Sequence, residues 1–106
     1  MPASNQSETV LKDRIVRYLR ANGIVCWRAG AGPYTVAGIP DILGVLPSGR
    51  FLAIEAKRPG RYKDPRTGLT ATQSAWLERF TTNNALALCV DALETVQAAI
   101  EPLLAP

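Results

Sequence analysis

The chain has 106 residues, 47% of them hydrophobic and 20% charged, a composition typical of one globular domain and not of a disordered segment. It has no histidine and only two cysteines, Cys26 and Cys89, which excludes catalytic triads built on histidine and Cys/His zinc sites. The net charge is +3, from 12 Lys and Arg against 9 Asp and Glu, and such a bias suits a polyanionic partner.

The first strong pattern in chain order is an amphipathic helix over residues 6–21. Its apolar side chains recur at the helical period: Leu11, Ile15, Tyr18 and Leu19. Asn5 is the predicted N-cap, and Glu8, three residues later, would complete a capping box. Asn22-Gly23 would end the helix.

Three strands are predicted next, over residues 24–28, 41–46 and 51–57, the last two joined by a turn at 47–49. A basic loop over 58–69 then leads to a second helix from Ala71 to about Thr82, capped by Thr70.

The apolar run 85–90 indicates a buried strand. A last helix begins with a capping-box pattern from Asp91 to Glu94, and it ends near Pro102 or extends toward Leu104. The element order predicts a single α/β domain over residues 1–106, with a mixed central sheet flanked by helices. The third strand, second helix and fourth strand would form a right-handed crossover.

The sequence carries no sign of membrane insertion or secretion. No apolar run approaches the ~20 residues that cross a bilayer, and the N-terminus lacks a basic segment followed by an apolar one. We therefore expect a cytoplasmic protein without a membrane partner. We expect both cysteines to be buried thiols that pack as small hydrophobic side chains.

Three charged residues interrupt the strand patterns at the centre of the chain. Side chains alternate along a strand, so Glu55 and Lys57 point the same way, and the hairpin brings Asp41 toward the end of their strand. Half-buried charges need compensation, and a divalent cation between the two carboxylates would supply it. The alternative is that Asp41 is a turn residue and that Glu55 and Lys57 form an exposed ion pair.

Basic residues cluster at two places. One cluster lies in the first helix and fits nucleic acid and a solvated helix face equally well: Lys12, Arg14, Arg17 and Arg20. The other spans residues 57–66, where Asp64 is the single acid, and is a stronger indication of a polyanion such as nucleic acid.

Three segments together resemble a known family: 38–41 (Gly-Ile-Pro-Asp), 49–60 (Gly-Arg-Phe-Leu-Ala-Ile-Glu-Ala-Lys-Arg-Pro-Gly) and 69–73 (Leu-Thr-Ala-Thr-Gln). They resemble the virus-type replication–repair nuclease (VRR-NUC) domains of the PD-(D/E)XK nuclease superfamily. The resemblance runs from about Glu8 to the last helix, and it implies a restriction-endonuclease-like αβββαβ(α) core.

The resemblance also implies a metal site. Its ligands would be the carboxylates of Asp41 and Glu55 and the carbonyl of Ala56, with Glu8 as the acidic residue of the first helix. Oxygen ligands without His or Cys favour Mg²⁺ or Mn²⁺. For Glu8, the capping box with Asn5 remains the alternative.

Further roles follow from the same resemblance. Lys57 would be the catalytic lysine, and Gln73 would border the active site, although Thr70 and Gln73 also fit a capping box. Side chains of the basic loop would hold DNA phosphates: Arg58, Arg61, Lys63 and Arg66.

The function implied is a metal-dependent DNA endonuclease that leaves a 5′-phosphate and a 3′-hydroxyl. Four-way junctions are the expected substrate and a homodimer the expected assembly, in a phage or prophage setting. Three alternatives remain open: a flap or duplex nuclease, a non-catalytic nucleic-acid-binding module, and a protein-interaction domain.

Overall fold

Seven helices and strands and one short 3₁₀ helix follow one another in the structure, a computed structural model that describes residues 7–30 and 32–104. They are α1 (Glu8–Ala21), β1 (Val25–Arg28), β2 (Ile42–Val45), β3 (Phe51–Ala56), the 3₁₀ helix (Pro65–Gly68), α2 (Ala71–Thr82), β4 (Leu86–Val90) and α3 (Leu93–Leu104). The predicted order and the α/β class are confirmed. Within these residues no helix combines the length and the apolar character needed to cross a membrane.

The four strands form one mixed sheet in the order β1-β2-β3-β4. The first two pairs are antiparallel, whereas β3 and β4 are parallel and are connected through α2. Ile42 pairs with Ile54. The residue before β2, Asp41, therefore lies beside the last residues of β3, as the hairpin predicts.

The two faces of β3 pack against different helices, as the strand period predicts. Leu52 and Ile54 are fully buried in a core with side chains of α1 and α3. On the opposite face, Phe51 stacks on Phe80 of α2, with ring centroids 5.3 Å apart. Helices thus cover both faces of the sheet, and the Phe51 face is the one that also carries Glu55.

The first helix begins later than predicted. Its N-cap is Ser7, whose hydroxyl accepts a 3.1 Å hydrogen bond from the backbone N–H of Val10. Glu8 is therefore the first residue of α1, and the capping box with Asn5 is wrong; Asn5 itself lies outside the described residues. The carboxylate of Glu8 is left for other contacts.

The C-terminal part also differs from the prediction. Strand β4 lies at an edge of the sheet, so only Val90 is buried and the other four residues, Cys89 included, are half-buried. Both cysteines are free, and of the two only Cys26 is fully buried. Helix α3 begins at Leu93, so the predicted cap at Asp91 is wrong, and it continues through Pro102, whose missing N–H removes only one bond of the last turn.

Candidate active site

A backbone hydrogen bond fixes Asp41 against the end of β3. Its Oδ2 accepts the N–H of Ala56 at 2.9 Å. The N–H and C=O of one strand residue point to the same side of the strand, so the carbonyl of Ala56 also faces the Asp41 side. The structure thus brings together Asp41 and the carbonyl of Ala56, two of the oxygen donors predicted for a metal.

The second carboxylate, that of Glu55, is buried and only partly hydrogen-bonded. Glu55 is 3% exposed. Its Oε2 accepts a 3.3 Å hydrogen bond from Nε2 of Gln73 and lies 3.8 Å from Nζ of Lys57. Its Oε1 is buried without a hydrogen-bond partner among the described residues. A buried, unpaired carboxylate oxygen is costly unless a proton or a cation satisfies it.

The surroundings of Glu55 favour its protonated form. Burial is the main cause and the neighbouring Asp41 carboxylate the second, and together they raise the pKa of Glu55 from 4.5 to about 8. The ammonium groups of Lys57 and Lys12 act in the opposite direction but do not offset them. The site of the metal-free protein therefore holds a proton that a bound cation would replace.

This pKa predicts how the stability of the metal-free protein changes with pH. The unfolded chain ionises Glu55 near pH 4.5, whereas the folded protein keeps the proton until about pH 8. The folded state thus binds more protons in this window, and the free energy of unfolding falls as the pH rises, with a slope approaching about one proton per molecule. Urea unfolding in EDTA across this range measures the slope, and Glu55→Gln should remove it. The same slope in that variant would show that Glu55 is not the group that takes up the proton.

Lys57, held by the neutral amide of Gln73, forms the cationic side of the site. Nζ of Lys57 donates to Oε1 of Gln73 at 2.9 Å, and Lys57 is itself buried. The same Oε1 accepts the N–H of Thr70, and Oγ1 of Thr70 accepts the N–H of Gln73, so the capping box is present. The capping box predicted for Gln73 is therefore confirmed, and the same side chain also contacts Glu55 and Lys57.

Glu8 lies at the border of the site, on the far side of a lysine. Its Oε1 accepts the backbone N–H of Arg58 at 3.2 Å, and its Oε2 lies 3.8 Å from Nζ of Lys12. The same Nζ lies 3.2 Å from Oδ1 of Asp41. Lys12 is thus a site residue that the sequence interpretation placed only in a basic cluster. The signal available in the sequence was the i, i+4 spacing from Glu8 on the inward side of α1.

The predicted DNA-contacting residues are exposed on the segment that follows β3. Arg58, Arg61 and Lys63 are exposed. Arg66 is exposed as well, but it pairs with Asp64 at 2.8 Å. Only Arg58, next to Lys57 and bonded through its backbone to Glu8, touches a residue of the site in the contacts described above.

The donor set fits a hard divalent cation. It offers the carbonyl of Ala56 and the carboxylates of Asp41 and Glu55, and Oε1 of Glu55 has no hydrogen-bond partner within the described part of the chain. Among residues 7–30 and 32–104, no group of three or more His, Cys, Asp or Glu side chains is placed to hold a metal. Glu8 therefore does not join the two central carboxylates in one cluster, and Lys12 lies between it and Asp41.

A solved structure has the same architecture as this chain. A structure described as a VRR_NUC domain matches 89% of this chain and 94% of its own, with a TM-score of 0.68 and 23% sequence identity. This chain has the VRR-NUC fold. The fold expected from the three motif segments is thereby confirmed. In this chain it consists of a mixed four-stranded sheet in which α2 connects β3 to β4. No protein-family model and no curated protein sequence matches the chain.

Proposed function

We propose that the protein is a metal-dependent DNA endonuclease. The observation that carries the proposal is Oε1 of Glu55, which is buried near the Asp41 carboxylate and has no hydrogen-bond partner among residues 7–30 and 32–104. An oxygen of this kind does not stabilise the core. A hydrogen bond to it, or an apolar side chain in its place, would give a lower free energy of the folded state. The VRR-NUC fold supports the same class of activity.

The residues that would hold Mg²⁺ or Mn²⁺ are Asp41, Glu55 and Ala56. When bound, such an ion polarises the phosphodiester and makes water a better nucleophile at neutral pH. In hydrolysis, the water oxygen bonds to phosphorus, the bond to the 3′ oxygen breaks, and that oxygen takes up a proton. The products are a 5′-phosphate and a 3′-hydroxyl.

Lys57 supplies the positive charge fixed next to this reaction. The bond to Gln73 and the neighbouring Glu55 hold its ammonium in one place before substrate arrives. A preorganised cation stabilises the negative charge that grows on the phosphoryl oxygens without reorganising at the moment of reaction. Gln73 is a positioning residue, because it orients both Lys57 and Glu55.

The exposed basic segment after β3 would bind the DNA backbone. Arg58, Arg61 and Lys63 begin directly after Lys57 and face solvent. Arg66 would add to them if phosphate replaced Asp64, and an exposed ion pair of this kind is weak enough to exchange. Contacts of this kind position DNA without reading its sequence.

We further propose a homodimer that acts on four-way junctions. A domain of 106 residues presents one active site, whereas symmetric cleavage of a junction needs two. Exposed apolar residues on one face of β1 and β2 offer a surface for self-association: Val25, Trp27 and Val45. The molecular mass in solution, measured by light scattering, tests the dimer.

Cleavage of labelled DNA tests the proposed activity. A four-way junction and matched flap, duplex and single-stranded DNA are each incubated with Mg²⁺, Mn²⁺ or EDTA. We expect paired nicks in the junction with either metal and none in EDTA. Cleavage of flaps or duplex alone would keep the nuclease and change its substrate. Salt-sensitive binding without cleavage in any metal would contradict the enzyme and favour a binding module.

A further inference from the structure

We infer that Lys12 is a resident cation of the active site, which a divalent metal ion must displace from Asp41. The inference rests on the proposed metal site and adds to it a residue that controls metal binding. Lys12 comes from α1, whereas Asp41 precedes β2, so the contact arises only in the folded protein.

The position of the ammonium carries the inference. Nζ of Lys12 lies 3.2 Å from Oδ1 of Asp41 and 3.8 Å from Oε2 of Glu8. The other oxygen of Asp41 is already bonded to the N–H of Ala56. Oδ1 is therefore the oxygen of Asp41 that could bind an ion without losing a backbone hydrogen bond, and the Lys12 ammonium already lies next to it.

The burial of this contact makes it stronger than a surface ion pair. The side chains of Lys12 and Asp41 are only 17% and 15% exposed, so water screens the attraction weakly. In the metal-free protein, Lys12 thus provides the positive charge that Asp41 would otherwise lack.

A divalent ion at Oδ1 would meet the Lys12 ammonium at short range, and the two cations would repel each other. The long, flexible lysine side chain lets the ammonium move away while its stem stays packed on α1. Metal binding therefore includes the cost of breaking the contact with Asp41. Removing the ammonium should strengthen metal binding, an effect that a merely structural residue would not produce.

Binding of Mn²⁺ to the full chain tests the inference directly. Electron paramagnetic resonance of free Mn²⁺ gives the dissociation constant at pH 8.5 for wild type, Lys12→Met and Lys12→Gln. Both variants should bind Mn²⁺ roughly tenfold more tightly than wild type, because one nearby positive charge is lost. Arg14→Met removes a charge from an exposed position of the same helix and should leave the constant unchanged.

The outcomes separate this inference from the proposed function. Tighter Mn²⁺ binding in both Lys12 variants supports the displacement of Lys12 by the metal. Loss of that binding when Glu55→Gln is added places the metal at this site. If wild type binds Mn²⁺ and both folded Lys12 variants bind it equally or more weakly, the displacement is refuted and the metal site stands. If none of the proteins binds Mn²⁺, the metal site is refuted and the Lys12 inference with it. Circular dichroism confirms that each variant is folded.

Discussion

Lys57→Met should separate metal binding from catalysis. It should still bind Mn²⁺, as tightly as wild type or more tightly, since Lys57 is not a proposed ligand and its positive charge lies 3.8 Å from the Glu55 carboxylate. Its single-turnover cleavage rate should fall roughly 10²- to 10³-fold, as when one preorganised donor to a developing oxyanion is removed. Methionine preserves the length and apolar stem of the Lys57 side chain, which is 10% exposed, so the fold should survive.

Glu55→Gln is the matched comparison for Lys57→Met. It removes a proposed ligand, and both Mn²⁺ binding and cleavage should be lost. Asp41→Asn should behave in the same way. A Lys57 variant that cleaves at the wild-type rate would remove this lysine from the mechanism. A Glu55 variant that still binds Mn²⁺ would move the metal elsewhere on the protein.

The centre of the site is predictable from sequence because local geometry determines it. The period of a strand orients Glu55 and Lys57, and the short hairpin turn places Asp41 beside them. Gln73 was predicted either to cap a helix or to border the site. It caps α2, and its side chain also contacts Glu55 because the first turn of α2 lies against the end of β3.

The border of the site is less predictable, because tertiary packing determines it. Lys12 contacts Asp41 only because α1 packs across β3, and no local pattern encodes that crossing. The partial exposure of β4 has a similar origin. An apolar run such as 85–90 predicts a strand, but whether that strand has one neighbour or two depends on the order of the whole sheet.

The loop before Asp41 packs on helix α2, which carries Gln73, and so connects two parts of the site. Gly38 lies three residues before Asp41 and has a φ of +76°, and it packs on Thr72, the residue before Gln73. The indole N–H of Trp76 donates to the carbonyl of Ala37 at 3.1 Å and holds α2 on the same loop. The distance between the Asp41 carboxylate and the Gln73 amide therefore depends on how closely this glycine approaches the helix.

Gly38→Ala should both destabilise the protein and slow cleavage, and Gly49→Ala is its control. Both glycines have positive φ, so alanine strains either position by about 1 kcal/mol. A Cβ at Gly38 would also lie 2.9 Å from the carbonyl carbon of Thr72, whereas at Gly49 nothing lies within 4 Å. Overpacking should raise the loss at Gly38 to about 3 kcal/mol.

Urea unfolding measures both losses, and single-turnover cleavage shows whether the site moves. Gly38→Ala should cleave more slowly under conditions where it is fully folded, because α2 must shift and carry Gln73 away from Glu55 and Lys57. Gly49→Ala should cleave at the wild-type rate, since its turn lies at the other end of the hairpin from Asp41. Equal losses of stability in the two variants would mean that only backbone strain matters at Gly38. The close approach of loop and helix would then not set the geometry of the site.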